Sequence, residues 1–171
     1  MLERSIDIIG ASGLVGSVVK KERGGLVETP PSSKEVDITK VDDVEKLIAT
    51  TDSSHILLSA AHTDVEAAQK DASLAVKINV DGTRNVAMAC RKYGKKLIYI
   101  SSDFVFSGSE QNRGAYSDCS SNEPIDSKNI GEYARTKLMG EIVVKESGCE
   151  HSIIRISYPF GNPESEKDFA R

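Results

Sequence analysis

The chain has 171 residues, a length that fits one domain with a single sizeable core. Hydrophobic residues make up 39% and charged residues 28%, and the net charge of −4 argues against a nucleic-acid binder, whose surface needs excess Lys and Arg. No apolar run approaches the ~18 residues of a membrane span, and Met1-Leu2-Glu3-Arg4 leads straight into a strand-like segment without a signal-peptide core.

Short apolar runs alternate with helical segments, which predicts an α/β fold: a doubly wound parallel sheet of about six strands with helices on both faces. Ile6-Asp7-Ile8-Ile9 reads as the first strand, and Leu14 to Arg23 as a short helix closed by Gly24-Gly25. Leu26-Val27-Glu28 is a weak second strand that stops at Pro30-Pro31. Val36-Asp37-Ile38 reads as a third strand. Val41 to Ala49 reads as a helix, which Thr39 can cap with Asp42 three residues on. Ile56-Leu57-Leu58 is continuously apolar, as a strand buried on both faces should be. One long helix is expected from about Ala72 to Tyr93, stopped by Gly94.

Leu97 to Ile100 reads as the fifth strand, and the polar stretch Ser107 to Asp126 as a long functional loop. Ile130 to Glu146 is the last full helix and Ile153 to Ile156 the sixth strand. Cys90, Cys119 and Cys149 are odd in number, and neither they nor His55, His62 and His151 show ligand spacing. Reduced thiols in a cytoplasmic protein without a metal site are the expectation.

Gly10-Ala11-Ser12-Gly13-Leu14-Val15-Gly16 is a glycine loop between the first strand and the first helix. Gly10 permits the tight turn, Gly13 lets a pyrophosphate approach the backbone, and Gly16 lets the helix pack close to the sheet. The free N–H groups and positive dipole of the helix start, at Ser12, Leu14 and Val15, suit the phosphates of NAD(P). Glu28 is a candidate for the ribose hydroxyls of NADH. Ser32-Ser33-Lys34 would suit the 2′-phosphate of NADPH, and NADPH is preferred.

Tyr133 and Lys137 stand at i and i+4 on one helix face, and the preceding strand ends in Ser101-Ser102. A ketone that accepts hydride must also accept a proton on oxygen. A neighbouring ammonium is expected to lower the tyrosine pKa toward neutrality, and Ser102 to hold the carbonyl oxygen near Tyr133. Asn79 falls mid-helix, where asparagine is disfavoured. Two roles fit it: an exposed helix side chain, or a group ordering water between Lys137 and solvent.

Seven segments together resemble the extended short-chain dehydrogenase/reductases, and among them the dTDP-4-dehydrorhamnose reductase group: residues 10–16, 36–39, 59–68, 78–87, 98–108, 133–141 and 153–161. The resemblance implies catalytic roles for Ser102, Tyr133 and Lys137. It implies adenine contacts at Asp37 and Ile38, a cofactor groove along Ala60, Ala61 and His62, a cofactor contact at Ser101, which with Ser102 matches the family's strand end, and a nicotinamide end near Ser157 and Tyr158. It also implies reduction of the C4 ketone of a sugar-nucleotide substrate by NADPH, with Ser102, Phe104, Val105 and Tyr133 facing that substrate. Phe104 stands where the family usually has a tyrosine. The family runs roughly a hundred residues further, so the chain is expected to lack much of the substrate lobe. The oligomeric state is left open, a homodimer among the options.

Two other relatives share these features. Sugar-nucleotide dehydratases place an Asp-Glu pair after the catalytic hydroxyl, whereas here Asp103 is followed by Phe104. The regulatory subunit of methionine adenosyltransferase, which binds NADP and a partner protein, shares the segment Ser101 to Phe106 and stands as the alternative to an enzyme.

Overall fold

The computed structural model describes residues 5–22, 27–28, 36–106, 108, 130–157 and 159. In chain order these form β1 (Ile6–Ile9), α1 (Leu14–Glu22), β2 (Val27–Glu28), α2 (Val41–Thr50), β3 (His55–Leu58), α3 (Val65–Lys70) and α4 (Ser73–Val76). A π-helical turn (Lys77–Gly82) joins α4 to α5 (Thr83–Tyr93), followed by β4 (Lys96–Ser102), a 3₁₀ turn (Asp103–Val105), α6 (Glu132–Glu146) and β5 (His151–Ile156). The strands make one sheet in the order β2-β1-β3-β4-β5, every pairing parallel.

Among the described residues the sheet has five strands, not six. The expected strand at Val36-Asp37-Ile38 is instead a turn. The Asp37 carboxylate accepts hydrogen bonds from the backbone N–H of Thr39 at 3.0 Å and from its hydroxyl at 2.7 Å. This local side-chain bonding competes with a strand ladder. It also occupies the Thr39 hydroxyl, so Lys40, not Thr39, precedes α2 and no side chain caps that helix.

The single helix expected from Ala72 to Tyr93 is continuous but not α-helical throughout. A separate helix, α3, comes before it, capped by Asp64, whose side chain accepts from the N–H of Ala67 at 2.9 Å. The main helix then widens through the π turn at Asn79, a local insertion that such helices often carry at functional sites. The segments read as Gly24-Gly25, Pro30-Pro31 and most of the 107–126 loop lie outside the described residues, as do Ser33, Lys34, Cys119 and Tyr158.

The core joins Ile9, Ile56, Leu58, Leu97 and Tyr99 of the strands to Val44 and Ile48 of α2 and to Val86, Ala87, Ala89 and Cys90 of α5. Apolar strands buried on both faces need this cover. Asp7 is buried within β1, and its carboxylate is satisfied by the Ser53 hydroxyl at 2.9 Å.

The register sets the site. Ile9 pairs with Leu58, and Leu58 with Tyr99, so β1, β3 and β4 end on the same edge of the sheet. β1 leads to a helix and then to β2 on one side, while β3 lies on its other side. That reversal opens a crevice at the carboxyl ends of β1 and β3.

The turn out of β1 is tight. Gly10 has φ of +96°, and a Cβ there would lie 2.8 Å from Ala60 Cα; a Cβ on Gly16 would lie 2.9 Å from Ala11 Cα and strike the Gly10 carbonyl. We predict that Gly16→Ala lowers unfolding free energy by about 1–3 kcal/mol, through overpacking against backbone that cannot yield. Gly13→Ala, exposed and 3.3 Å from its nearest neighbour, should cost less than half as much. Equal losses in denaturant titrations of the two variants would contradict this packing.

Candidate active site

Three expected groups converge at the tip of β4. Ser102 ends the strand, and its hydroxyl donates to Asp103 Oδ1 at 3.2 Å and accepts from the N–H of Phe104 at 3.2 Å. Tyr133, in the first turn of α6, meets the Phe104 ring edge-to-face with centroids 6.1 Å apart. Burial and the nearby Asp103 carboxylate push the Tyr133 phenol above its usual range, while hydrogen bonding with Ser102 pulls the other way. The expected lowering by Lys137 is absent. Desolvation of the ring sets the direction, and Tyr133 is a neutral phenol near pH 7, the form able to donate a proton.

One turn along, Lys137 is buried. Its ammonium donates to the Ile100 carbonyl at 2.7 Å and lies 4.3 Å from the centre of the Tyr99 ring. Desolvation pushes its pKa down to about 7, opposed by the charge of Glu141. Phe104 is 40% exposed at the rim, while Val105 is fully buried and turned into the protein.

The glycine loop lies across β3 from this cluster. Ser12 and Gly13 are exposed at its crest. The Gly13 N–H bonds the Gly10 carbonyl at 3.0 Å, and α1 has no acidic residue in its first turn. Bare backbone at a helix start, with no carboxylate to repel an anion, fits a pyrophosphate. Leu14 and Val15 are half-buried behind it. Ala60, Ala61 and His62 follow β3 beside the loop; the N–H of Ala60 bonds the Ile9 carbonyl at 3.0 Å. Asp37 is exposed, whereas the side chain of Ile38 belongs to the core beside Gly82. Ser157 follows β5 and is exposed.

Asn79 is not an exposed helix side chain. It is buried, and its amide pinches the backbone of His62, accepting from the N–H at 2.8 Å and donating to the carbonyl at 3.0 Å. It also donates to the Thr136 hydroxyl at 2.9 Å, and Thr136 donates to the Tyr133 carbonyl at 2.8 Å. A continuous hydrogen-bonded chain therefore links the loop after β3 to the helix that carries Tyr133 and Lys137.

The sequence reading missed Glu141. This carboxylate is fully buried, accepts from the Ser101 hydroxyl at 2.7 Å, and pairs twice with Arg155, at 2.8 and 2.7 Å. Ser101 thus turns its hydroxyl into the protein. The signal was the strand register: Ser101 and Arg155 are direct partners on β4 and β5. No cluster of metal-ligating side chains occurs among the described residues, and no helix there is long and apolar enough to cross a membrane. Cys90 and Cys149 are free and buried.

The strand order and the crevice at β1 place the chain among the Rossmann-like α/β proteins. Over residues 4–171 it matches the family described as the RmlD substrate binding domain, and it belongs to that family. It is 33% identical to a dTDP-4-dehydrorhamnose reductase of Mycobacterium tuberculosis, covering 90% of this chain and 49% of that one. It is 28% identical to the methionine adenosyltransferase 2 subunit beta of Bos taurus, covering 98% of this chain and 50% of that one. A crystal structure of dTDP-4-dehydrorhamnose reductase from Bacillus anthracis in complex with NADP superposes with a TM-score of 0.80 at 33% identity, covering 92% of this chain and 55% of that one. The chain spans about half the length of the curated relatives it matches.

The buried lysine generates a prediction. Its folded pKa lies below its unfolded value, so the unfolded chain binds the extra proton and stability rises with pH. The window runs from about pH 7 to pH 9, above which the buried Cys90 thiol, pushed up to about 12, works in the opposite direction. Wild type should gain on Lys137→Met across that window, by at most about 1.4 kcal/mol per pH unit. Parallel stability–pH curves for the two proteins would contradict the burial of a titrating ammonium.

Proposed function

We propose that the chain is the cofactor-binding part of an NADPH-dependent reductase acting on the C4 ketone of a nucleotide-linked 4-keto-deoxysugar. The observation that carries this reading is the meeting of the Ser102 hydroxyl and a neutral Tyr133 phenol at one strand tip, with Lys137 a turn below. The NADP-bound relative with the same sheet supports the choice of cofactor.

The glycine loop from Gly10 to Gly16 would hold the pyrophosphate, through the N–H groups of Ser12, Leu14 and Val15, with Gly13 leaving room for its approach. Ala60, Ala61 and His62 would line the groove beside it, with Ser157 toward the nicotinamide end. Bound NADPH supplies the hydride. Ser102 orients the ketone oxygen by hydrogen bonding, and Tyr133 donates a proton to that oxygen as it gains charge. Lys137 lies a turn below the pair and would donate to a ribose hydroxyl in exchange for its bond to the Ile100 carbonyl. Phe104, exposed against Tyr133, offers the sugar an apolar edge where a tyrosine would offer a hydroxyl.

A second reading has its own support, the likeness to methionine adenosyltransferase 2 subunit beta over 98% of this chain. In that reading the protein binds NADP and a partner without reducing a sugar.

Turnover of a dTDP-linked 4-keto-6-deoxysugar with NADPH separates the two. Tyr133→Phe should lower kcat by about 100-fold or more, the usual worth of a positioned general acid, while NADPH fluorescence titrations stay unchanged. Equal rates in both proteins would overturn the reductase reading in favour of the binding subunit.

A further inference from the structure

Glu141 is a buried charge for which the proposed reaction has so far had no use. It lies one helical turn beyond Lys137, at i+4 on the same helix, the spacing at which side chains of opposite charge are neighbours. Three contacts fix it. Ser101 donates from β4 at 2.7 Å, Arg155 donates two bonds from β5, and Lys145 approaches to 3.8 Å from the next turn of α6. Arg155 is itself held on its other side by the ring of Phe106, 4.8 Å from the guanidinium carbon. A fork-shaped guanidinium on a carboxylate is a rigid geometry. Glu141 is therefore a fixed negative charge inside the protein, not a mobile surface group.

The groups around Lys137 need such a charge. From β4 it meets the Tyr99 ring and the Ile100 carbonyl, both neutral. On its own helix Tyr133, a neutral phenol, stands one turn before it and Glu141 one turn after it, and of the two only Glu141 carries a charge that favours the ammonium. Asp103 of the 3₁₀ turn acts on Tyr133. Asn79 of the π turn and Thr83 beside Tyr99 are uncharged. Arg155 of β5 is paired with Glu141. A carbonyl and a ring face stabilise an ammonium only weakly against full loss of water.

We propose that Glu141 is a positioning residue for the Ser102–Tyr133–Lys137 set: clamped between Ser101 and Arg155, its carboxylate favours the ammonium form of the buried Lys137 side chain. Arg155 and Ser101 hold the Glu141 carboxyl below its ordinary range despite burial, so its charge persists wherever Lys137 titrates. The Ser101 and Arg155 contacts tie α6 to the tips of β4 and β5, so charge and geometry at the site share one anchor. The functional meaning rests on the reductase reading above; the electrostatic link does not.

The test follows the Lys137 Cε resonance with pH in protein carrying ¹³C-lysine, the signal being identified by its loss in Lys137→Met. In Glu141→Gln the titration midpoint should fall by about one pH unit, the effect of removing a near opposite charge. Ser101→Ala loosens the same anchor but leaves the charge, and its midpoint should stay at the wild-type value. If Glu141→Gln does not fold because Arg155 is left unpaired, the double variant Glu141→Gln/Arg155→Met removes both buried charges, and its midpoint should also fall, by less. An unchanged midpoint in whichever charge variant folds, or an equal fall in Ser101→Ala, would overturn the proposal. These readouts need no turnover. A midpoint that falls as expected beside a Tyr133→Phe variant with unaltered rates would sink the reductase reading and leave the Glu141–Lys137 link standing.

Discussion

An ammonium group withdrawn from water constrains everything near it. Lys137 is buried against a carbonyl and a ring face, so its charge survives only through what the surrounding elements hold in place. The parallel register sets Tyr99 and Ile100 beneath it. The return of α6 between β4 and β5 sets Glu141 one turn away and Tyr133 one turn toward the strand tip. A surface Tyr–Lys pair would need none of this; a pair meant to manage a proton does.

The two halves of the site are joined by polar chains rather than by apolar packing alone. Asn79 grips the loop after β3 and the Thr136 hydroxyl, and Thr136 holds the backbone of Tyr133. Ser101, Glu141 and Arg155 join α6 to both β4 and β5. Buried polar networks that satisfy every member tend to fix one geometry, because each loose end would be expensive. The glycine turn, in which Gly16 rests on the Gly10 carbonyl, does the same for the loop proposed to hold the phosphates.

The alternation of strands and helices, the parallel sheet and the glycine loop were legible in the sequence because each rests on local pattern. The run Ile56-Leu57-Leu58 could only be a strand buried on both faces. Asp37 misled, since its carboxylate folds back on Thr39 and turns the chain where apolar neighbours suggested a strand. Tyr133 and Lys137 were legible from spacing, but the sign of the tyrosine shift was not, because it is set by burial of the ring and the nearby Asp103, with no contribution from the lysine. Glu141 was silent: a glutamate on a helix reads as a solvated face, and its partners lie 40 residues upstream and 14 residues downstream. Asn79 was likewise unreadable, its contacts being set by the π turn and by a threonine 57 residues away.

The central claim is that one crevice holds the dinucleotide with its reactive end at Tyr133. Amide chemical-shift mapping on titrating NADPH into ¹⁵N-labelled protein tests it most directly. The account predicts shifts concentrated in residues 10–16, 60–62 and 132–137, with little change in α2 or in the amino-terminal half of β4. Saturating NADPH that left the α6 residues unmoved, or that shifted a different surface, would contradict it.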